Sequence, residues 1–67
     1  MRLSSSVGIK ASNNASDVRA VQQHLKNIGY SWLKVDGLVG VNTIKAIKMF
    51  QSTFMAHPDG RIDVNGL

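Results

Sequence analysis

The sequence predicts an all-α fold, a small three-helix arrangement whose third helix is cut short at the C-terminus. Two observations predict it: two stretches carry apolar residues at helical spacing, and a turn signal recurs in register farther along the chain. Sixty-seven residues make one domain, and a domain this short buries only roughly 60% of the surface of its unfolded chain. Its stability is therefore roughly 3 to 10 kcal/mol, at about 0.05 to 0.15 kcal/mol per residue. With no cysteine no disulfide adds to it, so locally packed helices must carry the fold.

Residues 1–12 are rich in Ser, Ala and Gly without a period and read as a flexible arm or lead-in strand of low order, with the domain proper over 13–67. Asn14, followed three residues later by Asp17, suggests a capping box, with the carboxylate favoured at the positive end of a helix. The helix should begin at about Ala15. Val18, Val21, Leu25 and Ile28 then lie on one face, Arg19, Gln22, Lys26 and Asn27 fall elsewhere, and Gly29 ends the element. Tyr30 to Val35 reads as an extended loop. Asp36 and Gly37 form a turn, because an Asp side chain accepts from nearby backbone amides and Gly permits positive φ. Gly40 is placed as N-cap of a second helix from Val41 to about Thr53, with Ile44, Ile47, Phe50 and Phe54 as its apolar stripe. Val21, Leu25 and the four residues of that stripe are the expected core. Met49 and Met55 are expected to fill gaps or lie at an edge. Pro58, Asp59 and Gly60 form the next turn.

Laid over residues 59–66, residues 36–43 match at four of eight positions, at an offset of 23 residues. The first copy delivers the chain to a helix, so the second should do likewise, with Asp63 as N-cap and a third helix from near Val64. One turn is too short to stand alone, so the expectation is a fragment of a longer protein.

Eight basic residues against four aspartates and no glutamate give a net charge of +4, a weak attraction for polyanions. No uninterrupted apolar run exceeds three residues, so no membrane span is expected. No run of signal-peptide length follows Met1, so export would need another route. The helices carry isolated Lys and Arg and no dense basic stripe, so nucleic acid is not an expected partner.

The segment Asp17-Val18-Arg19-Ala20-Val21-Gln22-Gln23-His24-Leu25 with Ile28-Gly29-Tyr30, then Asp36-Gly37-Leu38-Val39-Gly40 with Thr43, Ala46 and Phe50-Gln51, then Asp59-Gly60-Arg61-Ile62, resembles the peptidoglycan-binding domain 1 family. Val41 stands where a proline at the first helical position is common, and Asp63 replaces the usual glycine of the second copy. Neither departure breaks the turns. The resemblance implies a three-helix bundle that binds cell-wall peptidoglycan without catalysis as an appendage of a cell-wall hydrolase or effector. It implies an extracellular or periplasmic location, with the catalytic domain of the parent protein as a second partner and a monomeric state.

Catalysis is not expected. His24 and His57 lie in different elements with no ligand at the spacing of a zinc motif, and Asp17, Asp36, Asp59 and Asp63 all have local structural uses. No cofactor or metal is expected. Peptidoglycan offers sugars with apolar faces and peptides with carboxylates and amides, so Tyr30, Trp32, Asn42, Thr43, Lys45 and Arg61 are the candidate ligand-binding residues, in a groove shared between the turns. Asp36, Gly37, Gly40, Asp59 and Gly60 are the structural corners. Trp32 fits either a plug over the helix interface or a stacking platform. Thr43 fits either the core or the ligand, and Arg61 either a carboxylate clamp or an ion pair with Asp63. A protein-docking module is the alternative function, favoured by exposure of Trp32, Met49 and Met55.

Overall fold

The structure, a computed structural model, describes residues 3–64. The order of elements is β1 (Val7–Gly8), α1 (Ala15–Asn27), α2 (Val41–Gln51) and β2 (Arg61–Ile62). Two helices pack across a core, and the ends of the chain close over it as a two-stranded antiparallel clasp pairing Val7 with Ile62 and Gly8 with Arg61. A third helix is not among the described elements: Val64 lies in a turn, and residues 65–67, where the repeat would continue into it, lie outside the described residues.

The helix termini follow their local chemistry. Asn14 caps α1 by accepting from the Ser16 amide at 3.1 Å. At the other end Gly29 donates to Lys26 and Tyr30 donates to Leu25, the paired bonds of a Schellman ending. Gly40 is the N-cap of α2, with no side chain to close it. The second helix stops at Gln51, two residues before the expected end. The hydroxyls of Ser52 and Thr53 donate to the Met49 and Phe50 carbonyls at 2.6 and 2.7 Å, and side chains that bind the backbone locally compete with helix continuation. Phe54 therefore leaves the stripe. It is 59% exposed, its ring edge-on to Phe50, where the sequence placed it in the core.

The core contains Val18, Val21 and Leu25 from α1, Ala46 and Ile47 from α2, Leu33 from the connection, and Leu3, Val7 and Ile62 from the chain ends. Phe50 packs against it part-buried, Ile44 is half-buried and Ile28 is exposed, so the apolar stripes are narrower than the periodicity suggested. Leu33 in the connection is buried in the core, whereas its neighbour Trp32 is half in solvent.

The segment read as a flexible arm is built into the domain. Burying Leu3 and Val7 contributes about 1.5 to 3 kcal/mol each, a large share of a margin of roughly 3 to 10 kcal/mol. Two polar anchors hold the segment. Asp17 lies buried on α1 and accepts four hydrogen bonds, from the amides and hydroxyls of Ser4 and Ser5, at 2.6 to 3.1 Å. It therefore does not reach back to close a capping box at Asn14. Asn13, at φ 55°, donates to and accepts from the Gly8 backbone at 3.0 and 2.7 Å. These bonds to carboxylate and carboxamide replace the ladder that a two-residue strand cannot supply.

Gly8 has φ +119°, and a Cβ there would overlap the Gly60 carbonyl oxygen and lie 2.9 Å from Arg61 Cα. Gly8→Ala should cost about 2 to 3 kcal/mol from positive-φ strain plus backbone collision, lowering the melting temperature by roughly 10 °C or more, as thermal denaturation followed by circular dichroism will show.

The Ser4 hydroxyl and then the Ser4 amide hold the Asp17 carboxyl below its ordinary value of 3.8, burial opposes them, and the Ser5 bonds add a lesser downward pull. A depressed folded-state value gives stability that is fully present above the unfolded value and is lost as pH falls through the folded one. Asp17→Asn should thus melt lower than the parent at pH 7, and the gap should close on titration from about pH 4 downward. A gap that stays constant from pH 7 to pH 2.5 would show that Asp17 acts through shape alone.

Candidate functional site

The two Asp-Gly turns have the same geometry. Asp36 Oδ1 accepts from the Leu38 amide at 3.0 Å, and Asp59 Oδ1 accepts from the Arg61 amide at 3.0 Å. The glycines have φ +77° and +73°, a region open to glycine and strained for other residues. Each turn is held from below by a glutamine on the preceding helix.

Gln22, wholly buried on α1, accepts from the Asp36 and Gly37 amides on Oε1 at 3.0 and 2.9 Å. Its Nε2 donates to Asp36 Oδ1, the Leu38 carbonyl and Thr43 Oγ1 at 3.1, 2.9 and 3.0 Å, two protons serving three acceptors. Gln51, buried on α2, repeats the arrangement: Oε1 accepts from the Gly60 amide, and Nε2 donates to Asp59 Oδ1 and the Arg61 carbonyl, at 2.7 to 2.9 Å. Both carboxylates are held below their ordinary value, first by the amide two residues on and next by the glutamine Nε2. They remain ionised at neutral pH and act as acceptors, not as proton donors.

By its polar character the sequence sets Gln22 off the apolar face, whereas it is wholly buried. The signal that could have found it is positional: it sits four residues after Val18 and three before Leu25, inside the buried stripe, as Gln51 sits four after Ile47.

Of the candidate ligand-binding residues, Asn42 and Thr43 line a cleft beside the first turn and Arg61 one beside the second, two clefts with no lining residue in common where one shared groove is expected, while Tyr30, Trp32 and Lys45 form a separate group. The cleft at the first turn, about 390 Å³, lies between Leu33, Lys34, Leu38 and the start of α2, with Asn42 at its edge. Thr43 lines it, but is buried with its hydroxyl engaged by Gln22. Tyr30, Trp32 and Lys45 come together: the Tyr30 and Trp32 rings lie edge to face with centroids 6.2 Å apart, and Lys45 Nζ lies 5.8 Å from the Trp32 ring centroid. The second cleft, about 160 Å³, holds Arg61 with Phe50, Phe54 and Met55. There Arg61 Nε donates to Asp63 Oδ1 at 3.0 Å, the ion pair considered from the sequence. Asp63 is thus partnered to Arg61, and the helix it was expected to cap lies outside the described residues.

Among the described residues, no group of three His, Cys, Asp or Glu is placed to hold a metal ion. His24 sits edge-on to Phe50 at 6.4 Å, away from both turns' carboxylates in the bonding pattern. The surface chemistry available is aromatic faces, amide and guanidinium donors and an ammonium, which suits binding.

Gln22→Ala should destabilise the fold by about 3 kcal/mol or more, because it strands buried donors and acceptors at about 1 to 3 kcal/mol each. Gln51→Ala, with three bonds to lose against five, should cost less, about 2 kcal/mol. Urea denaturation of both variants checks the ranking.

Comparison with curated proteins and with solved structures finds no significant match. The family described as "Putative peptidoglycan binding domain" matches residues 14–65, covering both pinned turns and both helices. On that match, the chain belongs to the peptidoglycan-binding domain 1 family.

Proposed function

We propose that this module binds bacterial cell-wall peptidoglycan without catalysis and holds the catalytic domain of its parent protein, a cell-wall hydrolase or effector, against that substrate. It does so as a single copy, in the cell wall outside the cell or in the periplasm. Family membership over residues 14–65 is the observation that carries this reading. The geometry supports it: the backbone of each turn is satisfied from beneath by a glutamine, so the side chains at the rims are left to a ligand. Trp32, Tyr30 and Lys45 offer stacking and charge, Asn42 a carboxamide in the cleft at the first turn, and Arg61 a guanidinium in the cleft at the second. Thr43 contributes through the position it gives the first turn.

A docking role toward another protein domain is the second reading. Its support is the exposure of Trp32 and Met49, together with Phe54.

Co-sedimentation with purified, protein-free peptidoglycan separates the two. The module should pellet with it, and Trp32→Ala and Arg61→Ala should each weaken binding about tenfold, corresponding to about 1.4 kcal/mol, while leaving the melting temperature within a few degrees because both side chains are substantially exposed. Failure to pellet at any salt concentration would overturn the wall-binding reading, and loss of all binding at modest salt would reduce it to general attraction for polyanions.

A further inference from the structure

The Tyr30, Trp32 and Lys45 group has a construction that stability does not account for. Tyr30 packs on the core and Leu33 is buried, and the Leu33 amide donates to the Tyr30 carbonyl at 3.0 Å. The tight excursion between them leaves Trp32 outside the core, 47% exposed. Lys45 reaches it from α2, and no carboxylate lies within ion-pair distance of that ammonium among the described residues, where Arg61 with Asp63 makes the one ion pair. The carboxylate nearest in the chain to Trp32, Asp36, is turned into its own turn by the Leu38 amide and Gln22. A half-exposed indole with an acid-free ammonium over it matches a ligand that presents a flat apolar face and, beside it, a negative charge.

We propose that this platform is the module's subsite for a sugar ring that carries a free carboxylate, with the ring on Trp32 and the carboxylate on Lys45. The inference rests on the peptidoglycan reading and deepens it. The acidic amino sugar of the wall carries its lactyl carboxylate as an amide to the stem peptide. Hydrolysis of that amide, with water adding across the C–N bond to give the carboxylate and a peptide ammonium, exposes the charge. The platform therefore favours glycan from which peptide has been removed, the product of an amide-bond hydrolase. Single-stranded nucleic acid also combines a flat face with negative charge. It is the poorer match, because Tyr30 stands edge-on at 75° to Trp32 and provides no second parallel platform for a following base.

Two-dimensional NMR titration of the 67-residue chain tests this with four probes: neutral chitotetraose, peptide-free glycan strands, a hexuronate tetramer and oligothymidylate. The carboxylate sugars should shift the Trp32 indole resonance and bind about fivefold more tightly than chitotetraose at low salt, the preference falling toward unity at 0.5 M salt. The glycan-strand and hexuronate arms distinguish wall glycan from other acidic polysaccharide as the source of the charge. Lys45→Met should collapse the acid-to-neutral ratio, and Trp32→Ala should weaken both classes of sugar. Equal affinity for neutral and acidic sugars, an acid preference that survives Lys45→Met, shifts centred on Arg61, or tightest binding by oligothymidylate would each overturn the proposal. If intact peptidoglycan pellets the parent while peptide-free glycan strands bind the Trp32 and Lys45 variants as well as the parent, the subsite falls and wall binding stands. If peptidoglycan does not pellet the parent while hexuronate engages Trp32, the subsite stands and wall binding falls.

Discussion

The carboxamide of Gln22 is the interaction on which the rest of this molecule depends. It lies wholly buried, where an unsatisfied donor or acceptor costs more than a made bond returns, and it satisfies both kinds of group at once. Its oxygen takes the two amides that the first turn points inward. Its nitrogen takes the turn's carboxylate, the Leu38 carbonyl and the hydroxyl of Thr43 on the first turn of α2. One side chain on α1 thereby fixes the turn and the start of α2 with respect to each other. A carboxylate in its place would lose the donors and meet the charge of Asp36, and a hydrocarbon would leave the turn's amides in a dry core.

The same device at Gln51 sets the end of the described chain. By holding the Gly60 amide and the Arg61 carbonyl, it positions β2 so that β1 can pair with it, and Gly8 lies against the Gly60 carbonyl with no room for a Cβ. The clasp brings Val7 and Ile62 into the core, and Asp17 secures the N-terminal side through Ser4 and Ser5. A chain this short has little apolar surface to bury. Its polar side chains supply the specificity that a larger core would supply by packing.

Because the glutamines satisfy the turns from inside, the rims are stiff without consuming the side chains that face outward. Trp32, Lys45, Asn42 and Arg61 are thus displayed from rigid supports, the arrangement in which a binding group loses least freedom on meeting a ligand. The rims also differ in character. An indole is paired with an ammonium that has no acid partner among the described residues, whereas the second rim pairs phenyl rings with a guanidinium already engaged by Asp63.

By itself the sequence determined the elements whose cause is local: the Asn14 cap, the ending at Gly29, the Gly40 start of α2, and the two Asp-Gly turns with their repeat, since each depends on a few adjacent residues and the conformations they allow. It also carried the family register and the residue types of the site. Tertiary structure alone decided which polar side chains are buried. Hydrophobic periodicity counts Gln22 as polar and assigns it outward, although the apolar stripe runs around it, and its partners lie fourteen to twenty-one residues away. A two-residue strand has no period to read, so the burial of Leu3 and Val7 became visible only with Asp17 reaching back across thirteen residues. Phe54 continued the pattern on paper and left it in space, because hydroxyls at Ser52 and Thr53 ended the helix first. The separation of Arg61 from Asn42 and Thr43 into two clefts, and the pairing of Lys45 with Trp32, follow from how the helices are set against the connection and the second turn. That geometry is fixed by long-range hydrogen bonds within a buried, low-dielectric interior, and no stretch of sequence encodes it alone.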